Sequence, residues 1–216
     1  VSLCTGDIIA LSDQDDVWQP DKLELIEEKF QGSPKTGIVF SDAEIVDESL
    51  RPKGYRLWQV KGFSPAEQKK ITQGRSLELL LKHNIVTGAT AAFRAKFREL
   101  FLPIPANWVH DAWIALIIAV YADLDIIYKP LIKYRQHPNQ QIGAIKKGFL
   151  EQLAVSYQTG SEAYIRQLDR YMDFRERLSA NINVPHNTEV ISLLEAKMAH
   201  LTVRYNMPEQ KLKRLF

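Results

Sequence analysis

The chain has 216 residues, 45% hydrophobic and 25% charged, which suits one globular domain, or one domain with an appendage, and gives enough length to bury a real core. A formal charge of +2 carries no nucleic-acid signature, and a single cysteine, Cys4, excludes a disulfide scaffold and a thiolate metal site. Cysteine usage points to a reducing, cytoplasmic setting.

The charge is uneven. Residues 1–144 carry 17 basic against 18 acidic side chains, and residues 145–216 carry 11 against 8. The basic tail fits peripheral contact with an anionic membrane surface, and equally a solvated helix face. The longest apolar run, "AWIALIIAVYA" (112–122), is too short to span a bilayer. No signal peptide is expected from these residues. Val1 stands where a start methionine is expected and the chain enters a strand almost at once, so a truncated chain is expected.

"DIIALS" (7–12) reads as a short buried strand, and "PDKLELIEEKF" (20–30) as a helix with Pro20 at its first position and Leu23, Ile26 and Phe30 on its apolar face. "TGIVFSDA" (36–43) is a second buried strand. The mixed stretch 44–75 reads as an excursion or flexible loop. "SLELLLKH" (76–83) is a helix, "IVTGATAAFR" (85–94) a strand with an internal break, "AKFRELF" helical and "LPIPANW" a loop. "HDAWIALIIAVYA" (110–122) is a buried helix, followed by two short extended segments in "DIIYKPLIKYRQH" (125–137), split at Lys129-Pro130. Beyond Gly143, Leu150, Leu153 and Tyr157, then Tyr164, Leu168 and Tyr171, then Ile191, Leu194, Met198, Leu201 and Tyr205, recur at spacings of three and four. That spacing predicts a helical appendage.

Four constellations carry chemistry. Asp13, Asp15 and Asp16 follow an apolar strand directly, more negative charge than a helix N-terminus needs. Hard carboxylate oxygens suit Mg²⁺ or Mn²⁺ completed by substrate phosphates. A calcium loop fails, because Trp18 occupies the position that needs glycine and Pro20 starts a helix inside it. Asp111, at the head of the buried helix, suits a general base or an N-cap. Arg135 and His137 share one side of a strand end, where both can meet phosphate and His137 can ligate a metal. Gly88 breaks a strand where a ligand or another backbone can approach.

In order along the chain these segments resemble glycosyltransferase family 2 enzymes of GT-A fold, in particular the bacterial rhamnosyltransferase-like branch. That branch carries a "GDxIALSDQDDVWxPDKL" block, matched at residues 6–23, and then a strand ending in Ser-Asp (Ser41-Asp42). A "TG-A" strand (Thr87 to Ala91), a "HD-W" helix start (His110, Asp111, Trp113) and "YRQH-N--G" (Tyr134 to Gly143) complete the pattern. The resemblance covers about residues 5–144.

The resemblance implies an α/β fold over residues 1–144: a partial GT-A domain, Rossmann-like, with a mixed sheet flanked by helices. Residues 145–216 form an α-helical appendage to it. It implies inverting transfer of a sugar from a nucleotide-diphosphate sugar to a hydroxyl of a glycan or lipid-linked glycan in cell-surface polysaccharide synthesis. Asp13 and Asp15 then take the D-x-D positions, with Asp15 contacting Mn²⁺ or Mg²⁺ and Asp16 assisting. Arg135 and His137 face the diphosphate or the metal, Asp111 is the general base, and Thr87, Gly88, His110 and Trp113 lie on the acceptor side. In this family a nucleotide-reading half-sheet precedes the aspartate block, so the chain as it stands is expected to bind donor poorly. Homo-oligomers remain open.

Two other readings compete. "IIALSDQDDV" also satisfies the D-x-D-x-[TV] pattern of haloacid-dehalogenase-type phosphatases, with Asp13 as nucleophile and Ser41 as second motif, although Trp18-Gln19-Pro20 replaces the usual flap entry. A non-catalytic GT-A remnant serving as an interaction module is the second.

Overall fold

A computed structural model describes residues 1–136, 161–180 and 184–207. His137, Leu150, Leu153 and Tyr157 lie outside the described residues. The chain divides into two compact units, Val1–Ile104 with Val109–Lys146, and Pro105–Trp108 with Lys147–Phe216.

The first unit is a mixed sheet flanked by helices. Its strands are β1 (Ile8–Ala10), β2 (Val17–Trp18), β3 (Thr36–Val46), β4 (Pro52–Arg56), β5 (Ala91–Arg94) and β6 (Asp123–Arg135). They run in the order β1-β5-β3-β6-β2, with β4 also on β3. Only β3 and β6 pair in parallel among the described strands. β3 is buried along nearly its whole length, as suits a central strand, with Thr36, Ser41 and Asp42 buried among its apolar residues. Its helices are α1 (Lys22–Gly32), α2 (Leu57–Lys61), α3 (Pro65–Thr72), α4 (Ser76–Lys82), α5 (Arg98–Phe101) and α6 (His110–Tyr121).

α1 lays Ile26 and Phe30 on Val39, Ala92, Ile127 and Leu131 of the sheet. α6 is apolar all round and buried from Trp113 to Ile118, which suits a helix packed on more than one side. Gly37 admits it: a Cβ there would stand 2.6 Å from Ala122 Cβ and from Ile118 Cγ2.

The structure corrects four sequence expectations. First, the inward face of α1 is Lys22, Ile26 and Phe30, while Leu23 is 55% exposed. Pro20 lies just before the helix. Second, residues 44–75 are ordered: β3 continues to Val46, β4 pairs back on it, and α2 and α3 follow. Ser64, Pro65 and Glu67 form a capping box with proline in the first turn, a signal the sequence carried.

Third, Lys129-Pro130 does not split the strand. The ladder steps from Ser41↔Ile127 to Asp42↔Pro130, so Tyr128 and Lys129 bulge out and the missing proline N–H is accommodated within one strand. Fourth, residues 85–87 are irregular and Gly88–Thr90 is a 3₁₀ turn, with β5 starting only at Ala91.

Glu67 secures the α3–α4 pair. Burial works against its charge, but Lys82 at 2.7 Å, the Ser64 backbone N–H and His83 at 3.2 Å outweigh it and hold the carboxyl down at about 2. A depressed carboxyl stabilises the fold above its unfolded value near 4.3 and loses that contribution as pH falls through the folded one. Glu67→Gln is therefore expected to cost about 2 kcal/mol at pH 7. Denaturation followed from pH 7 to pH 2 should show the difference shrink below pH 4.

The second unit contains α7 (Ser161–Ser179) and α8 (Asn187–Tyr205). Tyr171, Phe174 and Leu178 are buried on α7, and Val190, Leu194 and Leu201 on α8. Tyr164, Leu168, Ile191 and Met198 are half-buried, while Tyr205, expected on the packed stripe, is exposed. The Trp108 indole donates to the Arg170 carbonyl at 3.2 Å and meets Tyr171 edge-on at 5.9 Å, and Asn107 donates to Asp173 at 2.7 Å. Among the described residues no helix is long and apolar enough to cross a membrane.

Candidate active site

The three aspartates occupy the loop between β1 and β2. β2 is only two residues long, pairing Val17 with Lys133 and Trp18 with Ile132 of β6, and it pins the loop to the last turn of the ladder. Arg135 completes the anchorage. Its backbone N–H donates to Asp16 Oδ1 at 2.9 Å, its Nε to the Asp15 carbonyl at 2.7 Å, and its Nη1 to the Glu48 carbonyl. The guanidinium expected to meet phosphate thus grips the backbone of the aspartate loop.

Asp16 keeps its second oxygen, Oδ2, buried without a hydrogen-bond partner among the described residues. Burial pushes its carboxyl up to about 6, the Arg135 N–H opposes the rise, and Asp15 and Asp13 add to it. Asp13 is also raised, first by burial and then by Asp15, with His110 acting the other way and Asp111 adding to the rise. The fields of His110 and Asp111 therefore reach Asp13 across about a hundred residues of sequence. Tyr134 senses the same cluster: burial carries its hydroxyl up to about 12, with Asp16, Asp13, Asp15 and Asp111 contributing.

Asp111 sits in the first turn of α6 but does not cap it. Val109 holds the cap position and makes no side-chain bond there. The Asp111 carboxylate reaches across instead, accepting from Asn84 Nδ2 and from the Gly88 backbone N–H, each at 3.0 Å. Gly88 lies close under His110. A Cβ would stand 2.8 Å from His110 Nε2, which places the exposed imidazole against the 3₁₀ turn. Thr87 opens that turn, its Oγ1 buried without a hydrogen-bond partner among the described residues.

Trp113 does not join the acceptor side. It is fully buried and its indole donates to the Phe101 carbonyl at 2.8 Å, so it is core. Ser41 fails the phosphatase motif for a like reason: it is 1% exposed and its hydroxyl is bonded to the Asp42 carbonyl at 2.9 Å.

The structure adds residues that sequence reading passed over. Lys22, at 0% exposure, donates to the Ala89 carbonyl at 2.8 Å and lies 3.8 Å from the centre of the Trp18 ring. Burial lowers its ammonium to about 8, against the pull of Asp16 and Asp13. Its spacing of four to Ile26 and eight to Phe30 was the available signal. Lys61 on α2 is lowered by burial, with Asp111 opposing, and Asn84 orients the Asp111 carboxylate. Neither announced itself by pattern.

Among the described residues no three His, Cys, Asp or Glu side chains converge into a seat for a metal ion. The donor set, hard oxygens with one buried carboxylate oxygen unpaired, fits a Mn²⁺ or Mg²⁺ ion that shares its shell with a diphosphate, and does not fit a resident ion held by protein alone. A search of curated proteins returned no match. Residues 1–101 match the family model described as "Glycosyl transferase family 2". That stretch, in which the chain is similar to family 2 glycosyltransferases, holds the aspartate loop, Lys22 and the Gly88 turn.

Proposed function

We propose that the chain carries the reaction centre of an inverting, metal-dependent, rhamnosyltransferase-like enzyme. It would move a sugar from a nucleotide-diphosphate sugar to a hydroxyl of a glycan or lipid-linked glycan in bacterial cell-surface polysaccharide synthesis. The observation that carries this reading is the juxtaposition of the aspartate loop with Asp111, both fixed by backbone contacts from elsewhere in the sheet unit.

In this reading Asp15 and Asp13, helped by Asp16, hold Mn²⁺ or Mg²⁺, which when bound neutralises charge on the departing diphosphate. His137, outside the described residues, serves the same side. Asp111 takes the proton of the acceptor hydroxyl as its oxygen bonds to the anomeric carbon and the bond to the diphosphate breaks. Asn84 and the Gly88 N–H keep that carboxylate aimed, and His110 and Thr87 border the acceptor. Residues 1–144 are the catalytic part, and the part that follows, with α7 and α8, serves a membrane-borne acceptor or a second copy.

Calorimetry of the complete gene product with UDP, GDP and dTDP, with and without Mn²⁺, tests the reading. Mn²⁺-dependent binding of at least one is expected. Absence of such binding for all three overturns it.

A further inference from the structure

A lysine at 0% exposure needs an explanation. Its position, one helical turn before Ile26 and two before Phe30, is an apolar slot that leucine or methionine would fill without the cost of burying charge. What distinguishes the slot is the chemistry at its far end. The ammonium donates to the Ala89 carbonyl at 2.8 Å, stacks 3.8 Å over Trp18, and exchanges attraction with Asp13 and Asp16. Ala89 lies in the same three-residue turn whose Gly88 N–H holds Asp111. One cation at the start of α1 therefore bonds the turn that holds the base and stacks on Trp18, just past the aspartate loop.

We propose that Lys22 is a positioning residue and the built-in counter-ion of the aspartate loop. It fixes the loop against the Gly88–Thr90 turn, and its charge makes the loop a poor seat for a bare divalent ion but a good one for the ion paired with a diphosphate. This proposal rests on the glycosyltransferase reading. Its electrostatic logic is direct: a fixed positive charge beside carboxylates repels an incoming cation, and a diphosphate removes that repulsion by bringing negative charge with it.

The test compares the wild type with Lys22→Met and Lys22→Arg in the complete gene product. Free Mn²⁺ is counted by electron paramagnetic resonance, with and without the nucleotide diphosphate that wild type binds. Lys22→Met is expected to bind Mn²⁺ alone about tenfold more tightly, because the repelling charge is gone. Its kcat should fall at least about tenfold, with donor KM within about threefold, since the base is no longer held in register. Its melting temperature should match or exceed the wild type, as expected when a buried charge is replaced by an apolar group of similar volume. Lys22→Arg, which keeps the charge, should keep wild-type Mn²⁺ affinity.

A merely structural lysine would give the opposite pattern: lower melting temperature, unchanged Mn²⁺ affinity per folded molecule, and kcat falling only with the folded fraction. That result, or a Lys22→Met protein indistinguishable from wild type, overturns the proposal while leaving the glycosyltransferase reading intact. Should Lys22→Met fail to fold, loss of wild-type Mn²⁺ affinity in Lys22→Arg does the same. If wild type binds none of the nucleotide diphosphates in the presence of Mn²⁺, the glycosyltransferase reading falls and this proposal falls with it.

Discussion

Asp111→Asn is expected to lower kcat by about 10³-fold while leaving Mn²⁺-dependent nucleotide binding within about twofold of wild type. Both oxygens of Asp111 are engaged, one by Asn84 Nδ2 and one by the Gly88 N–H. An asparagine presents one acceptor and one donor to those two donors, so one bond is lost and a donor faces a donor. The cost to stability is about 1–2 kcal/mol, which thermal melting measures separately. The loss of turnover has a different origin, because an amide cannot take the acceptor's proton. Transfer assayed in parallel with calorimetry on the same protein separates the two effects. A variant retaining a tenth of wild-type kcat would remove Asp111 from the chemistry.

Those same contacts show what the sequence could and could not disclose. The aspartate run and the "HDAW" start are local, and their spacing displayed them. The strands β1 and β3 and the helices α1, α4 and α6 were legible for the same reason: each is a short window whose own period decides it. What escaped was decided by distant partners. Lys22 stands at helical spacing from Ile26 and Phe30, but the partners that make burying its charge tolerable, the Ala89 carbonyl and the aspartates, lie outside the α1 window. Trp113 looked like a site residue because it stands two residues from Asp111 in sequence, yet two steps along a helix turn a side chain about two hundred degrees, here into the core. Arg135 was read by its strand face alone, whereas the Asp15 carbonyl of the loop pinned by β2 and the Glu48 carbonyl after β3 claim it.

The stretch 44–75 failed for another reason. Its elements are short, and β4 exists only because β3 extends far enough to pair with it. Pro130 misled in the opposite sense, since a two-residue bulge lets β6 carry a proline that local reading takes as an end.

The aspartate loop gives the second large effect, and there two neighbouring carboxylates are expected to separate in sign. Asp15→Asn and Asp16→Asn should each weaken Mn²⁺-dependent nucleotide binding, by about 100-fold for Asp15 and about tenfold for Asp16, because each removes a charged oxygen from a hard-ligand set. Stability should divide them. Asp16 is half-buried, its Oδ2 fully so and without a partner among the described residues, and its carboxyl is raised to about 6 in the fold. A raised carboxyl binds its proton more readily when folded, so at pH 7, where it is charged, it costs the native state stability. Neutralising it as asparagine keeps an acceptor for the Arg135 N–H and removes that cost, about 1–2 kcal/mol once the solvent still reaching the group is allowed for. The gain is largest above pH 6 and fades as the wild type protonates itself between pH 6 and its unfolded value near 3.8. Denaturant titrations with EDTA at pH 7.5 and pH 4 measure it directly. An Asp16→Asn protein less stable than wild type at pH 7.5 would mean that the Asp16 charge is compensated by a partner. The unpaired Oδ2 would then no longer argue for a cation in this loop.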